Sequence, residues 1–227
     1  MVRFGGVMAV GGVDLDVQAG EITGLIGPNG AGKTTLFNVI SGMQDPTAGM
    51  VSVNGVDISH ESPHRRAKRG LARTFQRLEL FASLTVRDNV RVAAELASLT
   101  NIDSTVDRLL EKVGVSHLAD KTAGELPTGS ARLVEIARAL ATGPQLLLLD
   151  EPASGLDESE SDRLGTLLRE LTEDGLGVLL VEHDMSLVMR VCDSIYVLDL
   201  GMIIAHGTPE HIQHDPQVLQ AYLGAPS

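Results

Sequence analysis

The chain has 227 residues, and its 30 acidic residues against 18 basic ones give a formal net charge of −12 at pH 7. This acidic balance argues against a general binder of nucleic acid or of anionic membranes, because both need a basic surface, and we expect no nucleic-acid partner. The single cysteine excludes a disulfide within the chain, and no stretch approaches the roughly 18 apolar residues of a membrane span, so we expect a soluble protein of a reducing cytosol.

Predicted strands and helices alternate along most of the chain. Residues 21–26 predict a strand that runs into a glycine-rich turn, and residues 33–41 predict a helix that ends at Gly42. Further apolar runs predict buried strands at residues 145–149 and 177–181. The remaining predicted elements are a helix and the two strands of a hairpin, at residues 158–171, 194–198 and 202–205. The alternation predicts an α/β fold with a mostly parallel sheet and a small antiparallel β part.

The middle of the chain departs from this alternation. Residues 86–99 and 105–113 have helical patterns with no strand between them, and glycine and proline near residues 124–129 mark the end of the stretch. The pattern predicts a helical subdomain, at about residues 84–142, inserted into the α/β core. Because no long linker interrupts the chain, we expect residues 1–227 to form one domain.

A phosphate-binding motif follows the first of these strands. The sequence Gly-Pro-Asn-Gly-Ala-Gly-Lys-Thr matches G-x-x-x-x-G-K-[ST], the motif of a P-loop NTPase core, and its position between a strand and a helix argues against a chance glycine-rich turn. Glycines let backbone N–H groups turn inward around phosphate oxygens, and the helix that follows points its N-terminus at the anion. We expect Lys33 to reach the β- and γ-phosphates of ATP and the Thr34 hydroxyl to bind Mg²⁺. The predicted nucleotide-binding residues of this segment are Gly27, Pro28, Asn29, Gly30, Ala31, Gly32, Lys33, Thr34 and Thr35.

The densest basic cluster of this acidic chain comprises Arg65, Arg66, Lys68 and Arg69. One interpretation is a solvated surface turn that balances nearby acidic residues. The other is a contact with lipid phosphates or with an acidic loop of a membrane protein. Both interpretations place these side chains at the surface.

Two carboxylates follow the predicted strand at residues 145–149. Ligands of open α/β sheets bind at the carboxyl ends of strands, so Asp150 is placed to hold Mg²⁺, through water, and Glu151 to polarise an attacking water. A solvated acidic loop is the alternative, but four leucines before the pair and the upstream phosphate motif argue against it. The strand at residues 177–181 leads in the same way into His183, although a lone histidine at a strand end is more often structural than catalytic.

With these motifs in this order, the chain resembles the nucleotide-binding subunits of ABC transporters over nearly its whole length. The resemblance implies that Gln76 is the Q-loop glutamine, which senses the γ-phosphate and contributes to the metal site. It implies that His183 is the switch histidine and acts with Glu151 in ATP hydrolysis. It further implies that Asp157 ends a D-loop that reaches the nucleotide, and that Phe4 is the aromatic residue that stacks on adenine.

The signature segment departs from the family pattern. The family reads L-S-G-G-Q or close to it, whereas residues 126–130 read Leu-Pro-Thr-Gly-Ser, so that only the leucine and Gly129 survive. In the family, the signature serine donates to the γ-phosphate bound by the opposite subunit. Pro127 has neither a hydroxyl nor an N–H to donate. Ser130, at the start of a helix predicted at residues 131–140, still offers a hydroxyl, so we expect Gly129 and Ser130 to contact the nucleotide.

Several segments narrow the resemblance to one branch of the family. Residues 70–76, 84–90, 201–209 and 221–224 are most similar to ATPase subunits of importers for branched-chain amino acids, which have relatives for urea and short amides. The alternative is that these segments are generic to ABC importers. The branch implies a second ABC ATPase subunit, with a heterodimer preferred over a homodimer, and membrane permease subunits. It also implies an extracytoplasmic solute-binding protein as an indirect partner, and a peripheral location at the cytoplasmic face of the cell membrane.

Two other functions remain open at this stage. One is a soluble ABC ATPase of the DNA-repair or ribosome-associated kind, against which the single short cassette without coiled-coil arms or a basic stripe argues. The other is a nucleotide-dependent interaction module with little turnover, which only the altered signature suggests. The presence of Glu151 argues against complete inactivity.

Overall fold

The computed structural model describes residues 1–97 and 100–223. In chain order the strands are β1 Val2–Phe4, β2 Val7–Val10, β3 Ile22–Ile26, β4 Ser52–Val53, β5 Val56–Asp57, β6 Leu71–Arg73, β7 Leu146–Asp150, β8 Gly177–Val181, β9 Ser194–Asp199 and β10 Met202–Gly207. The helices are α1 Lys33–Ser41, α2 Pro63–Lys68, α3 Val86–Leu96, α4 Ile102–Lys112, α5 Thr128–Leu140, α6 Glu158–Glu173, α7 Met185–Val191, α8 Pro209–His214 and α9 Pro216–Leu223.

The central sheet has six strands in the order β10-β9-β3-β8-β7-β6. Strands β9, β3, β8, β7 and β6 pair in parallel, and β10 is added antiparallel to β9 as the predicted hairpin. The other described strands form two small antiparallel ribbons, β1-β2 and β4-β5. The predicted fold class, an α/β P-loop core with a mostly parallel sheet and a small antiparallel part, is confirmed.

The inner strands are buried along their whole length. Every residue of β3 and β8 is buried, and so is β7 after its first residue. Helices cover both faces of a parallel sheet, which explains why these strands are mostly apolar along their length rather than alternating in polarity. Because they are parallel, β3, β7 and β8 end at the same edge of the sheet. The phosphate motif, the carboxylate pair and His183 follow these three strand ends.

Helices α3, α4 and α5 lie between β6 and β7 in the chain. An isolated bridge between Thr85 and Thr122 is the β pairing within the described part of this stretch. Helix α3 begins after Thr85, whose hydroxyl oxygen accepts the Asp88 N–H, and it ends at Leu96. The helix predicted at residues 86–99 is longer, but residues 98 and 99 lie outside the described residues. Residue 224, the last of the segment 221–224 that narrowed the resemblance, also lies outside them.

The start of α5 corrects the predicted helix at residues 131–140. The helix begins three residues earlier, at Thr128, so Gly129 and Ser130 lie inside its first turn. Threonine, glycine and serine have low helix propensity, which favours a later start. The Pro127 carbonyl nevertheless accepts the Ala131 N–H at 3.0 Å and closes the first turn.

The basic cluster is not a uniform surface. Arg66 is fully buried, and its guanidinium donates to the carbonyl oxygens of Val39, Ile40 and Ser59. Both surface interpretations are therefore wrong for this residue. Arg66 lies on the inner side of the short helix α2, a helix with too few turns to show an apolar stripe in its sequence.

None of the helices among the described residues is both long enough and apolar enough to cross a membrane.

Candidate nucleotide site

The three strand ends enclose one cavity of about 590 Å³. The loop after β3 and the start of α1 form its floor. Gln76 approaches from the segment after β6, Glu151 from the end of β7 and His183 from the loop after β8. The structure therefore brings together four predicted site segments that are far apart in the sequence.

The phosphate loop depends on glycine at defined positions. Gly27 has a φ of 152° and Gly32 a φ of 107°. A Cβ atom at Gly27 would lie 1.9 Å from the Leu198 carbonyl oxygen, and one at Gly32 would lie 2.5 Å from the Ala9 carbonyl oxygen. Helix α1 starts at Lys33 with no acidic residue and no side-chain cap in its first turn, which suits an anionic ligand there.

Lys33 folds back over the loop. Its Nζ donates to the carbonyl oxygens of Gly27 at 2.6 Å and Pro28 at 3.1 Å, and the residue is buried. Burial lowers the pKa of the Lys33 ammonium, while the nearby charges of Glu151 and Asp150 act to raise it. The result is a mostly desolvated cation between the loop and the carboxylates.

Glu151 is oriented by two side chains from other segments. Its Oε2 accepts a hydrogen bond from Gln76 Nε2 at 2.9 Å, and its Oε1 lies 2.8 Å from His183 Nε2. The Glu151 backbone has a φ of 51°, an uncommon left-handed conformation for glutamate, and its N–H donates to the Val181 carbonyl oxygen. This fixed carboxylate is placed to accept a proton from a water molecule in the cavity.

Asp150 is buried and paired with an arginine that the sequence analysis missed. The Arg73 guanidinium donates to Asp150 Oδ2 at 3.0 Å and to Asn38 and Ser41 of α1. It also lies 5.0 Å from the centre of the Phe75 ring. The sequence does contain a signal for this pair. Arg73 ends the apolar strand β6, and a charge at such a position needs a partner of opposite charge.

The donors around the loop suit Mg²⁺ shared with a nucleotide. Over residues 1–97 and 100–223, there is no group of three or more His, Cys, Asp or Glu side chains that holds a metal by itself. Mg²⁺ is usually bound through one or two carboxylates together with substrate phosphates. The exposed Thr34 hydroxyl and the buried Asp150 carboxylate are oxygen donors of this kind.

The other predicted residues lie outside this cavity. Phe4 is 52% exposed on β1 and is not part of its wall. Asp157 caps α6 by accepting the Glu160 N–H, and Gly129 and Ser130 line a separate cavity beside Glu160. The apolar wall of the nucleotide cavity is instead formed by residues that the sequence analysis did not select, among them Val7, Met8 and Leu200.

The signature segment packs against the start of α6. A Cβ atom at Gly129 would lie 2.3 Å from Glu160 Oε1, and one at Gly155 would lie 3.2 Å from the Thr128 methyl group. Pro127 is the N-cap of α5 and makes no side-chain hydrogen bond to the helix. This segment therefore has no side-chain donor at the position where the family pattern has serine.

Family models match two parts of the chain. The ABC transporter model matches residues 10–154, and a model described as branched-chain amino acid ATP-binding cassette transporter matches residues 202–226. Among solved structures, the ADP conformation of MJ1267, an ATP-binding cassette of an ABC transporter, superimposes with a TM-score of 0.89 at 33% identity. That match covers 98% of this chain and 95% of MJ1267.

Curated relatives match over nearly the full length. The high-affinity branched-chain amino acid transport ATP-binding protein BraF of Pseudomonas aeruginosa is 41% identical over 98% of this chain and 94% of BraF. The corresponding protein LivG of Escherichia coli K12 is 40% identical over 99% and 95%. The lipopolysaccharide export system ATP-binding protein LptB of Escherichia coli K12 is 38% identical over 97% and 93%. The resemblance noted in the sequence is confirmed, and the chain belongs to the ABC transporter family as one of its ATP-hydrolysing, ATP-binding cassettes.

Proposed function

We propose that this cassette powers the uptake of branched-chain amino acids or related small solutes. BraF and LivG are named for branched-chain amino acid transport, but LptB, named for lipopolysaccharide export, is almost as similar. Identity over the whole cassette therefore does not separate these solutes. The observation that carries the proposal is the match of residues 202–226 to the model named for branched-chain amino acid transporters.

Glu151 is proposed to act as the general base in ATP hydrolysis. Its carboxylate takes a proton as water attacks the γ-phosphate, and Gln76 and His183 hold it in place. Backbone N–H groups of residues 27–35, except Pro28, which has none, bind the phosphates together with the Lys33 ammonium. Thr34 and Asp150, with Gln76, would hold Mg²⁺, which supplies positive charge beside the β- and γ-phosphates when bound. The support for this assignment is the convergence of the phosphate loop, Gln76, Glu151 and His183 on one cavity. Asp150 is the buried last residue of β7, directly before Glu151.

The remaining predicted site residues act between subunits in this proposal. Gly129, Ser130 and Asp157 face away from the cavity of their own chain and contact the nucleotide of a second cassette. Phe4 is proposed to stack on adenine at the exposed edge of the same site. Residues 1–227 form a single ABC ATPase domain, in which α3, α4 and α5 make up a helical subdomain at residues 84–142.

The proposed partners are a second ABC ATPase subunit and membrane permease subunits, with a solute-binding protein acting indirectly. The altered signature favours a heterodimer, because a homodimer would carry two weakened sites.

A groove of about 700 Å³ between β6, α3 and α5 is the proposed permease contact. Phe81 and Leu96 line it and are 50% and 82% exposed, and apolar exposure of this kind marks protein contacts. In this proposal the chain is peripheral and lies at the cytoplasmic face of the cell membrane.

The altered signature also supports a second candidate, an interaction module that binds ATP but turns it over slowly. The soluble DNA-repair or ribosome-associated kind of ABC ATPase gains no support from the relatives named above. The contacts of Glu151 with Gln76 and His183, which hold its carboxylate in the cavity, favour turnover.

Transport by the assembled complex tests the proposal. This chain is reconstituted into liposomes with its permeases, second cassette and binding protein, and ATP-dependent uptake of radiolabelled leucine is measured. We expect uptake that excess isoleucine or valine suppresses, with Glu151→Gln as the inactive control. Uptake suppressed by urea or acetamide alone would move the substrate to the amide relatives. ATP hydrolysis without uptake of any of these solutes would contradict the importer assignment.

A further inference from the structure

A buried carboxylate next to the site has no role in the chemistry described so far. Glu182 follows β8, directly before His183, and is only 4% exposed. Its Oε1 accepts the Ala153 N–H at 2.6 Å, and its Oε2 accepts the N–H groups of His183 at 3.0 Å and Asp184 at 3.4 Å. One side chain thus joins two loops that follow different strands.

These two loops carry the groups that act on the γ-phosphate. Ala153 lies in the turn after Glu151, and the Ser154 N–H closes that turn on the Glu151 carbonyl oxygen at 3.1 Å. The other loop carries His183, whose ring contacts the Glu151 carboxylate. The loops therefore meet twice, once where His183 contacts the partly buried Glu151 and once at the buried Glu182.

The chemistry of the bridge requires two acceptor oxygens. A carboxylate accepts hydrogen bonds on both oxygens, whereas an amide presents one oxygen and one NH₂ donor. Burial raises the pKa of Glu182, and the three N–H groups act against this shift by favouring the charged form. A buried group that is costly to ionise and fully occupied with backbone donors fixes the position of those donors.

We propose that Glu182 is a positioning residue for ATP hydrolysis, which holds the Ala153 turn and the His183 loop together so that Glu151 and His183 stay at contact distance. The inference rests on the proposed roles of Glu151 and His183. It differs from a purely structural role, in which the bridge would stabilise the fold without selective effect on the hydrolysis step.

The variant Glu182→Gln tests the bridge, because either orientation of the amide turns a donor toward one of the two loops. We expect the single-turnover rate of ATP hydrolysis by the purified full chain to fall about 100-fold, as misplacement of reacting groups predicts. The Kd for a fluorescent ATP analogue stays close to that of the unmodified chain. The thermal melting temperature falls by only a few degrees, because the amide turns one buried donor toward another. The matched control is Glu173→Gln, an exposed glutamate at the end of α6, which leaves all three quantities unchanged.

A double-mutant cycle with His183→Ala separates positioning from stability. If Glu182 acts through His183, then adding Glu182→Gln to His183→Ala lowers the rate much less than it does in the unmodified chain. Equal losses in both backgrounds, or a loss of ATP binding parallel to the loss of rate, would overturn the proposal. If the glutamine variant does not fold, the shorter Glu182→Asp is measured in the same cycle, and failure of both variants to fold would also overturn it.

The Glu151→Gln variant keeps this inference separate from the function it rests on. Hydrolysis at the unmodified rate in Glu151→Gln would remove the assigned base and the positioning role with it. An inactive Glu151→Gln together with an unchanged Glu182→Gln would refute the role of Glu182 alone.

Discussion

The phosphate half and the signature half of an ABC ATP site lie in different parts of this chain and are built differently. Lys33, Gln76, Glu151 and His183 reach one cavity, where Glu151 contacts the two side chains that orient it. The signature half, at residues 126–130, opens α5 after Pro127 without a side-chain cap. The side chains of the phosphate half contact each other within this chain, whereas the signature half lacks the serine hydroxyl that the family motif supplies.

The difference between the two halves matters for the ATP sites that this chain would form with a second cassette. In a head-to-tail dimer each nucleotide is bound by the phosphate half of one subunit and covered by the signature half of the other. A partner with an intact signature would complete the site built on this chain's Lys33. The partner's own nucleotide would be covered by Pro127 and Thr128. In the proposed heterodimer, the two halves of this chain would therefore contribute to two unequal ATP sites.

The largest expected effect comes from removing the proposed base, Glu151. Glu151→Gln keeps the shape of the side chain but cannot accept the proton, so hydrolysis should fall by roughly 10³-fold. ATP binding should persist, and the variant should accumulate as an ATP-bound dimer in size-exclusion chromatography with ATP present. Phosphate release at the unmodified rate would contradict the assignment of Glu151.

The next effect tests the inequality of the two sites. Lys33→Ala removes a charged phosphate contact and should weaken ATP binding by roughly 10- to 100-fold. In the assembled transporter it should reduce transport more than the matching lysine change in the partner cassette. Equal losses in the two subunits would mean that the sites are equivalent despite the altered signature.

Repair of the signature half should raise activity more modestly. Pro127→Ser together with Thr128→Gly restores a hydroxyl at the N-cap of α5 and removes bulk, so hydrolysis by the isolated chain should rise about tenfold. The measurement is steady-state phosphate release at concentrations where the chain dimerises. A homodimer of the unmodified chain that already turns over at full transporter rates would show that the Gly129 N–H and the Ser130 hydroxyl are sufficient.

The smallest expected effect concerns the adenine end of the phosphate half. Base–aromatic stacking predicts that Phe4→Ala weakens ATP binding by about 1 kcal/mol, roughly fivefold. Binding of inorganic triphosphate, which has no base, should change less. Equal losses for the two ligands would assign Phe4 to packing of the β1-β2 ribbon and leave the apolar contact with adenine to Val7, Met8 and Leu200.

The sequence predicts features whose chemistry is local. The phosphate loop is a contiguous motif between a strand and a helix, and the leucines before Asp150 identify a buried strand end. Strand ends of a parallel sheet share one edge, so the meeting of the loop with Glu151 and His183 also follows from the pattern.

Features that depend on packing between distant segments are not predictable in this way. Arg73 pairs with Asp150 on another strand, and Glu182 accepts from Ala153 in another loop, and the sequence around them does not name these distant partners. The early start of α5 is a local feature, closed by the Pro127 carbonyl, and the low helix propensity of the three residues that follow argues against it. Arg66 looks like one more charge of a basic surface turn, although it is the buried member of that cluster.

Arg66 lies at the end of α1 opposite to the phosphate loop. It donates to the carbonyl oxygens of Val39 and Ile40 in the last turn, where α1 has no basic residue of its own. The aligned peptide dipoles of a helix give its carboxyl end about half a negative charge and its amino end a matching positive one. Arg66 therefore neutralises the negative pole of α1 while its positive pole faces the place proposed for the phosphates of ATP. A cation buried for structural reasons in one helix completes the electrostatics of the anion site at the far end of another.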